Sequence, residues 1–393
     1  MKRRTFLKNT GLASAALWAP SFLNHLPGQT NGKILIVIQL SGGNDGLNTI
    51  VPYRNDKYYE LRPDIAISDN EVLRVTDELG FNPSLSDLQT LYDEGWVSIV
   101  NNVGYPNPNR SHFRSMDIWQ TASDSREYLT SGWLGRYLDS QCNGCESPHY
   151  ALELGQGLSL ALKGEQRLGF AMNDLRQMER TNKNPLLSYL GQKDTHEHEH
   201  EEVAYLYKTL LDTQSSTKYL LEQTGGRRSR ANFPATPFGR DLRQVVELIL
   251  AGNTSKVYYV SLGGFDTHAN QKGPQGRLLS IYAEGVKALA EELNKHNLWQ
   301  DTLVMTFSEF GRRVAQNGSK GTDHGAASNL YLMGGNLRQA GFYNDGPDLT
   351  NLDKGDLKYQ VDFRNVYANV LDSWLGASSN GILNKCFDDL GII

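Results

Sequence analysis

The sequence predicts an α/β protein with a mostly parallel central sheet sandwiched by helices. Three observations predict it. Apolar, β-branched runs of strand length alternate with stripes of helical spacing. The first run is nearly continuous, as in a strand covered on both faces. Carboxylates, imidazoles and glycines gather just after several of the runs, where open α/β sheets place their ligands.

Lys33-Ile34-Leu35-Ile36-Val37-Ile38-Gln39-Leu40 is the first core strand. Leu85, Leu88, Leu91 and Tyr92 recur at helical spacing, and Trp96-Val97-Ser98-Ile99-Val100 gives a second strand. Strand, helix, strand implies a parallel unit. Leu242, Val245, Val246, Ile249 and Leu250 form a helical stripe that stops at Gly252, before the strand Lys256 to Leu262. Leu278, Ile281, Tyr282 and Leu289 mark the next helix and Asp301 to Phe307 the next strand. Asn329 to Met333 is a further strand, and Asp362 can cap a last helix carrying Val366, Val370 and Trp374.

A chain of 393 residues can bury a large core. Residues 31–393 suit one domain, with an insertion or cap at about 125–235, where the periodic signals weaken. The tract Asp194 to Glu202 there, alternating His and Glu, has the composition of a solvated helix start or loop. A net charge of −5 and dispersed Lys and Arg argue against nucleic acid as a partner. Three cysteines exclude a disulfide scaffold, and Cys142 and Cys145 read as a local disulfide or as free thiols.

Residues 1–30 read as a signal peptide and short linker. Lys2-Arg3-Arg4-Thr5-Phe6-Leu7-Lys8 is a twin-arginine signature, and the apolar run Gly11 to Ala19 is too short to span a membrane stably. The expected partner in export is the twin-arginine translocase, and the expected location is the periplasm, the cell surface or the medium. No stable membrane span is expected after signal removal.

The chemistry gathers after the strands. Ser41-Gly42-Gly43-Asn44-Asp45-Gly46 follows the first, where glycines permit a tight turn and Asp45 stands at the sheet edge. Neither a phosphate loop nor a nicotinamide fingerprint is present. After the second strand, Ser111 reads either as an N-cap or as a hydroxyl nucleophile at a helix N-terminus, with His112 and Arg114 placed to orient an anion. In Gly264-Phe265-Asp266-Thr267-His268, extended backbone puts Asp266 and His268 on one side, within reach of one cation. Glu309 ends the next strand, Asp323 and His324 follow in a Gly-flanked loop, and Arg312 has the planar fork that suits an oxyanion.

Together with the twin-arginine signature, Gln39 to Gly46, Ser111-His112-Phe113, Gly264 to His268, Ser308-Glu309-Phe310-Gly311-Arg312 and Gly321-Thr322-Asp323-His324-Gly325 resemble the bacterial exported family called domain of unknown function 1501. That family is grouped with the alkaline-phosphatase-like superfamily of phosphatases, sulfatases and phosphodiesterases. The resemblance implies an alkaline-phosphatase/sulfatase-like fold holding one or two divalent ions, zinc or a harder ion such as calcium, magnesium or manganese.

It further implies that Asp266, His268 and His324, with Asp323 beside them, form one metal position. Asp45 and Glu309 form another, near the nucleophile Ser111. Arg114 or Arg312 would hold the oxyanion. The superfamily motif of Ser or Thr, Asp, His or Asn, Gly is similar to Ser308-Glu309-Phe310-Gly311, the preferred register. There Phe310 stands where the superfamily has His or Asn, and the second position lacks a ligand. In the other register Asp323-His324-Gly325 matches the motif and no later His completes the set. The implied activity is hydrolysis of small anionic phosphate or sulfate esters by an exported, metal-dependent enzyme. The alternative is a non-catalytic metal-binding or assembly protein on the same fold.

Overall fold

The computed structural model describes residues 32–393 except 142–147, 156, 191–200 and 225–227. The twin-arginine segment, Cys142, Cys145 and most of the His/Glu tract therefore lie outside the described residues.

Nine strands form the main sheet. They are β1 (Ile34–Ser41), β2 (Val97–Gly104), β3 (Ala151–Leu154), β4 (Phe170–Met172), β5 (Val257–Gly263), β6 (Thr302–Phe307), β7 (Ser328–Gly334), β8 (Gly341–Phe342) and β9 (Val361–Asp362). Their spatial order is β8-β2-β7-β6-β1-β5-β3-β4, with β9 also against β2. All pairings are parallel except those of β7, which runs antiparallel to both β2 and β6. A smaller three-stranded sheet joins Ile50–Val51, Leu73–Arg74 and Gly80–Phe81.

Burial explains the continuous apolar run of β1. Ile34, Ile36, Ile38 and Leu40 enter the core on one face, whereas Leu35 and Val37 enter the core on the other. Each such side chain is worth roughly 1.5–3 kcal/mol of burial. The first core is covered by Ser86–Asp93, Pro237–Leu250 and Lys272–Lys295, and the second by His112–Thr121, Trp133–Gln141 and Phe363–Asn369. The last of these helices is capped as its sequence predicts, by the Asp362 side chain on Arg364 N.

The segment expected as an insertion or cap contributes to the sheet itself. β3 pairs with β5, and β4 extends the edge, while Leu175–Asn182, Pro185–Leu190 and Glu201–Thr224 are helices. Among the described residues, no helix is long and apolar enough to cross a membrane.

Candidate metal centre

Because β1, β2, β5 and β6 run in one direction, their following loops emerge at one edge. Antiparallel β7 begins at that same edge, which brings the preceding loop, with Asp323 and His324, onto the site. An isolated bridge between Arg312 and His324 and the bond from Gly325 N to Gly311 O (2.8 Å) lock this loop against the segment after β6. Two glycines make the crowding feasible. Gly42 has φ +119°, and a Cβ on it would lie 2.4 Å from Asp266 N. A Cβ on Gly321 would lie 2.2 Å from the His268 carbonyl carbon.

Four side chains converge there. His112, Asp266 and His324 each offer a ligand atom, all within 4.8 Å of one another. His268 joins them, its Nε2 lying 2.9 Å from His324 Nε2 and 3.0 Å from Asp266 Oδ1. His324 Nε2 is 3.2 Å from Asp266 Oδ1, and His112 Nε2 is 3.4 Å from Asp266 Oδ2. Donors bound tetrahedrally to one zinc-sized ion stand about 3.3 Å apart, and the spacings among His268, His324 and Asp266 Oδ1 and between His112 and Asp266 Oδ2 fall near that value.

The other ring nitrogens are held from behind. His112 Nδ1 meets Glu309 Oε1 at 2.9 Å, and His324 Nδ1 meets the Arg110 carbonyl at 2.7 Å. A carbonyl only accepts, so His324 carries its proton on Nδ1 and turns a lone pair inward from Nε2. His268 Nδ1 faces Asp323 Oδ1 at 3.6 Å. The buried His112 Nε2 makes no hydrogen bond. An orphaned, inward-facing imidazole nitrogen is what a metal ligand looks like without its ion.

Arg312 holds the centre together. Its buried guanidinium donates to the carbonyls of Gly42 (2.5 Å), Gly43 (2.6 Å), Phe265 (3.0 Å) and Thr322 (2.8 Å), and to Asp266 Oδ1 (2.8 Å). Burial pushes the Asp266 carboxyl up, but the hydrogen bond and charge of the Arg312 guanidinium outweigh it and hold it at about 2.

Of the residues singled out in the sequence, the structure thus brings together Asp266, His268, His324 and His112, with Asp323 and Glu309 behind them. Glu309 is completely buried and accepts from Gly42 N (2.8 Å) as well as His112, so its place is behind an imidazole. Asp45 makes its contacts elsewhere. Its carboxylate accepts from Arg62 Nη1 and Gln271 Nε2, each at 2.5 Å, and from Leu47 N. Neither Arg62 nor Gln271 carried a sequence signal for this role.

Ser111 is exposed at the N-cap of His112–Thr121, and its side chain makes no capping bond. Arg114 turns away to the carbonyls of Asp124, Ser125 and Glu127 and stacks over Tyr128. Phe310 is buried, its ring 4.8 Å from that of His112 and 4.6 Å from that of His324.

The model of the family described as "Protein of unknown function (DUF1501)" matches residues 32–375. No curated protein matches the sequence. The chain is similar to the lipoteichoic acid synthase LtaP from Listeria monocytogenes at 9% identity, covering 95% of this chain and 78% of that one, with a TM-score of 0.43. It is similar to the C-terminal periplasmic domain of EcEptC from Escherichia coli at 12% identity, with coverage of 91% and 86% and a TM-score of 0.40. It is also similar to PsFucS1 sulfatase from Pseudoalteromonas sp. at 11% identity, with coverage of 92% and 72% and a TM-score of 0.39. With TM-scores below 0.5, these likenesses fix neither its activity nor its ligands.

Proposed function

The chain belongs to the family described as "Protein of unknown function (DUF1501)", and on that premise we propose that it is an exported, metal-dependent hydrolase of phosphate or sulfate esters. The observation that carries the metal is the set of three imidazoles turned inward around Asp266, with His112 Nε2 buried, without a hydrogen bond and 3.4 Å from Asp266 Oδ2. Three imidazoles and one carboxylate are a donor set suited to zinc.

A divalent ion held by His112, His268, His324 and Asp266 would act as a Lewis acid and favour an ionised oxygen nucleophile. The chain supplies the rest. Ser111, one residue before His112, offers an exposed hydroxyl where the helix N-terminus favours negative charge. Glu309, Asp323 and the Arg110 carbonyl orient the imidazoles. Arg312 keeps Asp266 ionised and ties the strand-end loops together.

Phe310 favours a second reading, a non-catalytic metal-binding or assembly protein. Its ring packs against two of the imidazoles where the resemblance would place another ligand. The two readings separate in one experiment on protein purified from the exporting compartment. Metal content is measured by elemental analysis beside turnover of aryl phosphate, phosphodiester and aryl sulfate, with Ser111→Ala and Asp323→Ala as controls. Bound metal with turnover lost in Ser111→Ala supports the hydrolase, and metal without turnover supports the binding protein. Absence of both, even with added zinc, manganese or calcium, sinks the metal reading. Export is tested by changing Arg3 and Arg4 to Lys and following the protein's location.

A further inference from the structure

A cleft of about 1240 Å³ opens between the helices Leu175–Asn182 and Pro237–Leu250, beside the ends of β3 and β5. That volume exceeds the usual range for a small-molecule pocket, roughly 300–1,000 Å³. We propose that this cleft is an anion site that grips further phosphate or sulfate groups, so that the ligand of this protein is a multiply charged chain and not a simple monoester.

Four arginines line it, Arg176, Arg180, Arg240 and Arg243, and all four are exposed. Among the described residues none of them forms an ion pair. Arg180 Nε reaches only the Arg176 carbonyl at 3.4 Å, and Arg243 only the Ala231 carbonyl at 3.5 Å and the face of Phe233. Of the four acidic groups lining the cleft, three have other partners. Asp174 caps its helix on Gln177 N, Glu179 pairs with Lys183, and Glu247 accepts from Ser229 N. Asp241 is half-buried, and burial pushes its carboxyl up to about 6 despite the nearby Arg240. Planar guanidinium groups without carboxylate partners are suited to tetrahedral oxyanions.

The cleft also lies within reach of the metal centre. Ser261 lines it, and Asp266 is five residues further along the same strand and loop, at most about 18 Å away. A ligand with several anionic groups can therefore place one at each site. This inference rests on the hydrolase reading for the identity of the reacting ester, but not for the binding of anions in the cleft.

The test measures binding of inorganic tripolyphosphate and of a fully sulfated disaccharide by calorimetry, with the unsulfated disaccharide as control. The Arg176→Ala/Arg240→Ala double variant, changed at two exposed helix positions and checked for fold by circular dichroism, should bind the preferred polyanion at least about tenfold more weakly. Arg176→Lys/Arg240→Lys should recover part of that loss. The preferred probe tells phosphate from sulfate. Unchanged affinity in the alanine variant, equal binding of the uncharged disaccharide, or failure of both polyanions to bind overturns the proposal. Asp266→Asn keeps the two readings apart, since it should lose metal and turnover while leaving polyanion binding in the cleft intact.

Discussion

His112 Nδ1 stands 2.9 Å from Oε1 of Glu309, a carboxylate with no exposed surface that also accepts the Gly42 N–H. The two residues are 197 positions apart, one at a helix start and the other at a strand end. A carboxylate behind an imidazole keeps the proton on Nδ1 and aims the Nε2 lone pair at whatever lies in front. Here Asp266, His268 and His324 lie in front. Glu309 thereby gives His112 the posture of a ligand without facing the cluster centre itself.

Replacing Glu309 by Gln removes the negative charge behind the imidazole and should weaken metal binding about 10–100-fold, the usual effect of changing such a partner. His112 Nδ1 and Gly42 N meet the same Oε1, so the amide oxygen can accept from both and the fold should persist. Competitive titration with a chromogenic chelator measures the affinity, and an unchanged value would remove Glu309 from the orienting role.

Asp45 and Arg62 form a buried pair, each side chain at most 1% exposed, with Arg62 also donating to Asn48 and to the carbonyls of Arg313 and Val314. Asp45→Asn leaves the guanidinium uncompensated and should cost about 3–5 kcal/mol of stability. Metal bound per folded molecule should not change. A denaturant melt with elemental analysis of the folded fraction checks both, and a loss of metal without a loss of stability would return Asp45 to the ligand set.

The strand-end motifs were legible in the sequence because apolar runs fix where the chain leaves the sheet. The extended backbone expected for Asp266 and His268 is not found: β5 ends at Gly263, and a turn bond from Thr267 N to Phe265 O (2.8 Å) lies between the two residues. What spacing cannot show is which atoms face each other across the loops. Asp45 bonds to Gln271, 226 positions away, and Arg312 to the Gly42 carbonyl, 270 away. Both pairings arise only when the sheet is assembled. β3 and β4 were missed for a different reason. Strands of four and three residues leave too short a period to separate from loop, and they gain their stability from pairing with β5 and each other.

Glu153, in β3, is buried and accepts a hydrogen bond from Ser159 N at 2.6 Å. Burial pushes its carboxyl up to about 7, despite the Ser159 bond and the charge of Lys163. Its pKa is thus higher folded than unfolded, so its contribution is fully present below about 4.5 and is lost as pH rises through about 7. The stability difference over that window is on the order of 3 kcal/mol. Urea melts at several pH values should show this decline in the wild type and a flatter profile in Glu153→Gln; parallel profiles would assign the slope to other groups.

Phe310→His tests whether the centre is single because of one substitution or because of its surroundings. An imidazole there would stand beside His112 and His324, where the Phe310 ring now packs. A second ion needs further ligands, and the two carboxylates nearest in the sequence motifs are engaged: Asp45 by Arg62 and Gln271, Glu309 by His112 and Gly42. Releasing Asp45 would leave Arg62 buried and unpaired at a penalty of several kcal/mol, more than one added imidazole offsets. The variant should therefore keep the wild-type metal-to-protein ratio in elemental analysis, and it should lose stability because the smaller ring leaves a void. A ratio raised by one ion would mean that Phe310 alone had closed the second position, and that the Asp45–Arg62 pair opens when a metal competes for it.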